Sequence, residues 1–183
     1  MKTFFIRTFG CQMNEHDSDR MAGLLRAAGL TPVSEAGAAD LIILNTCSVR
    51  AKPEHKALRE AGRYKHLRRQ KKTRVVVAGC VAQQHGQALL KRSQHIDGVI
   101  GPDEIHRLGE MLRAFQEEAG PFVATESHHR DDPRFVPLGP TQGSISRFVT
   151  VMKGCDNFCA YCIVPFVRGR EVCRPEADVL DEV

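Results

Sequence analysis

The chain alternates short, almost wholly apolar runs with longer stretches whose apolar residues recur at helical spacing. Residues 3–9 (Thr-Phe-Phe-Ile-Arg-Thr-Phe) predict a strand ending at Gly10-Cys11. Residues 40–45 (Asp-Leu-Ile-Ile-Leu-Asn) predict a second, ending at Thr46-Cys47. Residues 74–79 (Arg-Val-Val-Val-Ala-Gly) predict a third, ending at Cys80, and 98–100 a short fourth. Between them the period lengthens. Residues 17–29 predict a helix capped by Asp17 or Ser18, with Met21, Leu24, Leu25 and Ala28 as its stripe. A long polar helix runs from about 51 to 70, with Pro53 in its first turn. Further helices are predicted near 82–92 and over 103–118, the last with Ile105, Leu108, Met111, Leu112 and Phe115 on one face. Strands that are apolar on both sides are buried on both sides. The pattern therefore predicts an α/β fold, an open parallel sheet with helices on both faces.

The alternation stops between 126 and 146, where Ser, His, Arg, Asp, Pro and Gly dominate. This stretch reads as a linker. It divides a domain at 1–125 from a new unit at 147–183, which opens with a predicted strand at 147–152 and closes in a helix starting near Pro175. A length of 183 residues suits one domain plus part of another.

Apolar residues make up 42% of the chain, enough for a core, and the net charge of +4 permits a nucleic-acid partner without requiring one. Arg7 interrupts the N-terminal apolar run too early for a signal peptide. No stretch approaches the ~18 apolar residues of a membrane span. These features predict a cytoplasmic protein with reduced thiols. Seven cysteines in that setting point to metal or redox chemistry rather than disulfides.

Three of the seven, Cys155, Cys159 and Cys162, form a Cys-x3-Cys-x2-Cys loop behind Gly154, with Tyr161 just before the last thiol. Three thiolates are one fewer than the usual complement of an iron–sulfur cluster, so one iron would stay open. A Cys-x2-Cys pair alone is more often half of a structural zinc site, and three unrelated buried thiols are the blandest reading. The extra Cys, Gly154 and Tyr161 favour the cluster. Cys11, Cys47 and Cys80 are distant in sequence, yet each stands at the carboxyl end of a predicted strand. Ligands bind outside those ends in open α/β sheets. Neighbouring strands would deliver the three thiols to one place; otherwise each is a small buried hydrophobe. Cys173 reads as incidental.

Five segments together resemble a known family. Gly10-Cys11-Gln12-Met13-Asn14-Glu15-His16-Asp17-Ser18, Asn45-Thr46-Cys47-Ser48-Val49-Arg50 and Gly79-Cys80-Val81-Ala82-Gln83 resemble the three cysteine motifs of the methylthiotransferases. Gly154 to Cys162 and Val164-Pro165-Phe166-Val167-Arg168-Gly169-Arg170-Glu171 resemble their radical S-adenosylmethionine (SAM) segment. Gln12-Met13-Asn14 resembles the branch of tRNA-2-methylthio-N6-dimethylallyladenosine synthases. The resemblance implies that Cys155, Cys159 and Cys162 hold a SAM-cleaving [4Fe–4S] cluster, with Tyr161 also at the cofactor. It implies that Cys11, Cys47 and Cys80 hold an auxiliary [4Fe–4S] cluster. One SAM would methylate a sulfur there. A second would yield the radical that takes hydrogen from C2 of an isopentenylated adenosine beside the tRNA anticodon, which then receives the methylthio group. The implied partners are tRNA and an electron-donor protein, with no membrane and no second copy of the chain.

Members of the family continue into a full radical SAM (β/α) barrel and a small RNA-binding domain. This sequence reaches only the truncated start of that barrel, so an N-terminal fragment, inactive alone, is expected. Other residues divide between bland and functional readings. The run Lys65 to Lys72 reads as a solvated helix end offsetting the dipole, or as a tRNA phosphate contact. Arg168 and Arg170 flank the cysteine loop where an anionic substrate would approach. His128-His129, in a polar linker, does not read as a metal site. Asn14 and Asn45 either orient hydrogen bonds at the thiols or serve as turn residues. The competing functions are a non-catalytic metal-binding module, holding zinc or a single cluster and docking on RNA or a partner, and a metal-free structural fragment.

Overall fold

Four apolar strands line up side by side in the computed structural model, which describes residues 1–49, 51–126 and 148–183. They are β1 (Thr3–Phe9), β3 (Leu41–Thr46), β4 (Arg74–Gly79) and β5 (Gly98–Ile100). Two short edge strands, β2 (Thr31–Pro32) and β6 (Phe122–Ala124), complete a six-stranded sheet in the order β2-β1-β3-β4-β5-β6, every neighbouring pair parallel. The edge strands are too short to leave a pattern in the sequence.

The helices cover both faces, and side-chain alternation along the strands decides which. Ile42, Leu44, Val75 and Val77 pack with Ala57 and Ala61 of α2 (Ala51–Arg63), Leu67 of α3 (Lys65–Lys71), Val81 of α4 (Cys80–His85) and Leu89 of α5 (Ala88–Arg92). Leu41, Ile43, Val76 and Ala78 point the other way, toward Met21 and Leu25 of α1 (Gln12–Ala27) and Met111 and Phe115 of α6 (Leu108–Gln116). All six residues of β3 are buried, as a central strand between two helical layers requires.

Helix boundaries differ from the sequence pattern in instructive ways. α1 starts at Gln12, well before Asp17, with Cys11 at its N-cap position. Asn14, His16 and Asp17 in its first two turns are polar yet buried, so a search for apolar periodicity passes over them. Asp17 and Ser18 consequently sit inside the helix and cap nothing. The long polar helix breaks at Tyr64 into α2 and α3; the Tyr64 hydroxyl donates to Glu60 Oε1 at 3.0 Å. The helix expected at 82–92 starts at Cys80 and breaks at Gly86 (φ 48°). That expected at 103–118 opens as a 3₁₀ helix over Pro102–Arg107.

Beyond the sheet, the strand expected at 147–152 reduces, among the described residues, to Met152, which pairs together with Lys153 as β7 (Met152–Lys153); its partner is antiparallel: β8 (Val172–Cys173). Between them runs α7 (Val164–Val167), and α8 (Glu176–Glu182) follows, starting next to Pro175 as the sequence predicts. Most of the expected linker, with His128 and His129, lies outside the described residues. Among the described residues no helix is long and apolar enough to cross a membrane.

β1 has β2 on one side and β3 on the other, so the winding reverses between β1 and β3. A crevice must open at the carboxyl ends of the strands there.

Candidate metal centre at the strand ends

The parallel register pairs Phe9 with Thr46 and Thr46 with Gly79. Three strands thus end in one row, ~4.8 Å apart per step. Cys47 and Cys80 are the next residues of their strands, and Cys11 follows β1 by two. All three thiols line a single cavity of about 260 Å³, whose other walls include Met13, Val49, Gly154, Val164, Val167 and Arg168. Cys47 and Cys80 are buried and Cys11 is exposed. Topology alone has brought together three cysteines from three separate segments.

A polar lock beneath the cavity fixes the strand ends. Asn14 Nδ2 donates to Asn45 Oδ1 (3.1 Å) and to the Thr46 carbonyl (2.9 Å). Asn45 Nδ2 donates to the Asn14 carbonyl (2.7 Å) and to Ser18 Oγ (2.9 Å). Neither Asn is a turn residue: one lies in α1 and the other in β3. Asn14 Oδ1 also accepts from Cys11 Sγ (3.4 Å), and the Val49 N–H donates to Cys47 Sγ (3.5 Å). Gly79 must be glycine here. At φ +86° a Cβ would stand 2.4 Å from Asn45 Oδ1 and 2.5 Å from the Thr46 carbonyl oxygen.

Arg168, at the end of α7, reaches back over the crevice. Its Nη2 pairs with Asp17 Oδ2 at 2.7 Å, and Arg168 lines the same cavity as Cys80. Burial pushes the Cys80 thiol above its ordinary pKa, and Arg168 pulls against that push. Two further contacts attach the C-terminal segment to the same edge. Lys153 Nζ pairs with Asp103 Oδ1 (2.9 Å), and Thr150 Oγ1 lies 3.3 Å from His16 Nε2. Burial, then Arg20, holds the His16 ring below its ordinary pKa.

The second trio sits on the loop that leaves β7. Gly154 (φ +77°) is fixed by close backbone approach, since a Cβ would collide with the Arg170 carbonyl. The Cys155 N–H donates to the Gly169 carbonyl (3.2 Å) and the Cys162 N–H to the Cys159 carbonyl (2.9 Å). Asp156 accepts the Glu171 N–H (2.9 Å) and pairs with Arg170 Nε (2.8 Å). The Arg170 guanidinium lies 5.1 Å over the Phe158 ring, which meets Phe166 edge-on at 6.0 Å. Cys155 and Cys162 are half-buried, Cys159 is exposed, and Tyr161 is 94% exposed. Gly154 lines the first cavity, whereas the three thiols of the loop do not.

Among the described residues no three His, Cys, Asp or Glu side chains stand close enough to hold one metal ion. A cubane asks for something else, because each thiolate binds a different iron. The soft donors, the largely apolar walls and the hydrogen bonds to sulfur at the first trio suit such a group. The basic run divides on inspection. Arg68 is held by Asp97 (2.9 Å) and Lys71 by the Gly37 carbonyl (2.8 Å), so those two brace the fold. The sequence marks Asp17 as a cap and Arg168 as a residue facing an anionic substrate; the fold instead buries the two against each other.

Residues 3–101 match the family described as Uncharacterized protein family UPF0004. The chain belongs to this family. The matched part contains all three strand-end thiols and the Asn14–Asn45–Gly79 lock. Over its whole length the chain is also similar to proteins named tRNA-2-methylthio-N(6)-dimethylallyladenosine synthase. It is 47% identical over 186 residues to that of Geobacter metallireducens, covering 100% of this chain and 41% of the relative. For the Syntrophotalea carbinolica protein the figures are 46% over 185 residues, 100% and 42%. For that of Methylibium petroleiphilum they are 46% over 183 residues, 100% and 40%. The chain thus spans about two-fifths of the length of these UPF0004-type relatives and corresponds to their N-terminal part.

Proposed function

We propose that this chain carries the N-terminal domain and the start of the radical SAM segment of a tRNA methylthiotransferase. The reaction is addition of a methylthio group to C2 of N6-isopentenyladenosine next to the anticodon. The observation that carries the reading is the meeting of Cys11, Cys47 and Cys80 at one cavity, with the cysteine loop attached to the same sheet edge. The substrate comes from the names of the relatives.

Cys11, Cys47 and Cys80 would hold an auxiliary [4Fe–4S] cluster. Cys155, Cys159 and Cys162 would hold a second, with Tyr161 exposed beside them for a nucleoside-type cofactor. When bound, the clusters and SAM would supply the electron, the radical and the sulfur that replacement of an aromatic C–H requires. The chain's own residues do the positioning. The Asn14–Asn45 lock fixes the strand ends, and Val49, Val164 and Val167 wall the cavity with apolar surface. Cys80, a buried thiol, must release its proton on ligation, and Arg168 stands beside it to favour the thiolate. Seven free cysteines suit a reducing, cytoplasmic setting. tRNA and an electron-donor protein would be the partners. The whole activity would belong to a protein of the relatives' length.

The test is nucleoside mass analysis of tRNA from cells lacking the gene. Loss of the methylthio form with accumulation of N6-isopentenyladenosine, restored by the gene and not by its Cys11→Ala variant, is expected. Unchanged methylthio nucleosides in the deletion would overturn the reading.

A further inference from the structure

Arg168 ties the segment that carries one trio to the cavity lined by the other. It follows the Cys155–Cys162 loop closely in sequence, yet its side chain is only 12% exposed, paired with Asp17 at the cavity that Cys80 also lines. Asp17, 2% exposed, takes a second cation, Arg20, at 3.4 Å. This buried group therefore holds two guanidiniums against one carboxylate. Nearby Lys153 and Asp103 cancel each other. Burial and Arg168 both disfavour the charge on Arg20, and Arg20 Nε has no hydrogen-bond partner among the described residues. A buried surplus of positive charge needs a negative complement, and the cavity beside it is lined by thiols. A guanidinium suits this place because its planar fork can grip a carboxylate and still donate to a sulfur; an ammonium is a single point charge.

We propose that Arg168 is a positioning residue that couples the two cysteine sites. Anchored on Asp17, it seats α7 over the strand-end crevice and holds its positive charge at the cavity that Cys80 lines, where it raises the reduction potential of a cluster held by Cys11, Cys47 and Cys80. The redox half rests on the cluster reading given above; the seating half does not. Reducing a thiolate-bound cluster adds negative charge at its sulfurs, and hydrogen bonds to those sulfurs are one of the protein's controls over potential. A cation held there therefore favours the reduced form, and its loss lowers the potential.

The experiment uses the 183-residue chain with Cys155, Cys159 and Cys162 changed to Ala, so that only the first trio remains. Arg168→Met, Arg168→Lys and Asp17→Asn are compared with this parent, each checked for folding by circular dichroism. In the metal-free chains, N-ethylmaleimide labelling of Cys80, read by peptide mass, is expected to be at least tenfold faster in Arg168→Met and Asp17→Asn. Labelling of the already exposed Cys11 is expected to stay unchanged. After anaerobic iron and sulfide loading, electron paramagnetic resonance titration is expected to give a lower potential in Arg168→Met, with Arg168→Lys between it and the parent. Asp17→Asn keeps the guanidinium, so it decides the seating half should Arg168→Met fail to fold. Unchanged Cys80 labelling and an unchanged potential in folded variants overturn the proposal. A parent that forms no cluster overturns the functional reading and the redox half together, and the labelling then decides the seating half on its own.

Discussion

Gly79 and Asn45 carry as much of the site as the cysteines, and neither is a ligand. A methyl group at Gly79 meets Asn45 Oδ1 and the Thr46 carbonyl at once, on a backbone that L-residues avoid. Gly79→Ala is expected to lower stability by at least about 2 kcal/mol in urea unfolding. Asn45→Ala strips a buried partner from the Asn14 carbonyl and from Asn14 Nδ2. It is expected to destabilise by roughly 1–3 kcal/mol. Wild-type unfolding curves for both would contradict the account of the strand-end lock. Legibility at this scale was uneven. The six thiols stand out in the sequence because each occupies a strand end or a tight spacing. The Asp17–Arg168 pair does not, because 151 residues separate its members and only the folded crevice relates them.

The central strands were readable because burial on both faces removes polar residues from them. The start of α1 was not, because its first turns bury polar side chains in hydrogen bonds rather than apolar ones in a stripe. The breaks at Tyr64 and Gly86 likewise depend on tertiary contacts and backbone angles that no apolar period records. Asp40, just ahead of β3, shows a further element-level device. Its carboxylate accepts the N–H groups of Lys2 (2.6 Å) and Thr3 (3.2 Å), tying the start of β1 to β3. The Lys2 N–H, against some burial, holds the Asp40 carboxyl below its ordinary pKa, and the Thr3 N–H adds to it. A folded value below the unfolded one gives stability that is complete above the unfolded pKa and lost as pH falls through the folded pKa. Asp40→Asn is therefore expected to flatten the acid side of the stability profile below about pH 5. A variant that keeps the full acid dependence would exclude this residue as its source. Leu25→Ala, in the buried stripe of α1, is expected to cost about 2–5 kcal/mol by thermal or denaturant unfolding.

At the scale of the molecule, the sheet order does what no single motif can. A winding reversal between β1 and β3 opens a crevice, and three strand ends supply it with sulfur. The C-terminal segment then closes over it through Arg168–Asp17 and Lys153–Asp103. The parallel sheet could be expected from the alternation of strands and helices, but the order of its strands could not. The antiparallel pairing of β7 with β8 was hidden because β8 is a two-residue segment whose local sequence carries no strand period. The central claim is that the strand-end thiols form one site. It is tested most directly by counting iron after anaerobic loading of the chain with Cys155, Cys159 and Cys162 replaced by Ala. The account predicts ~4 irons per chain, lost when Cys11, Cys47 or Cys80 is singly changed to Ala. Iron that survives any of those three changes intact, or that never binds, would contradict it.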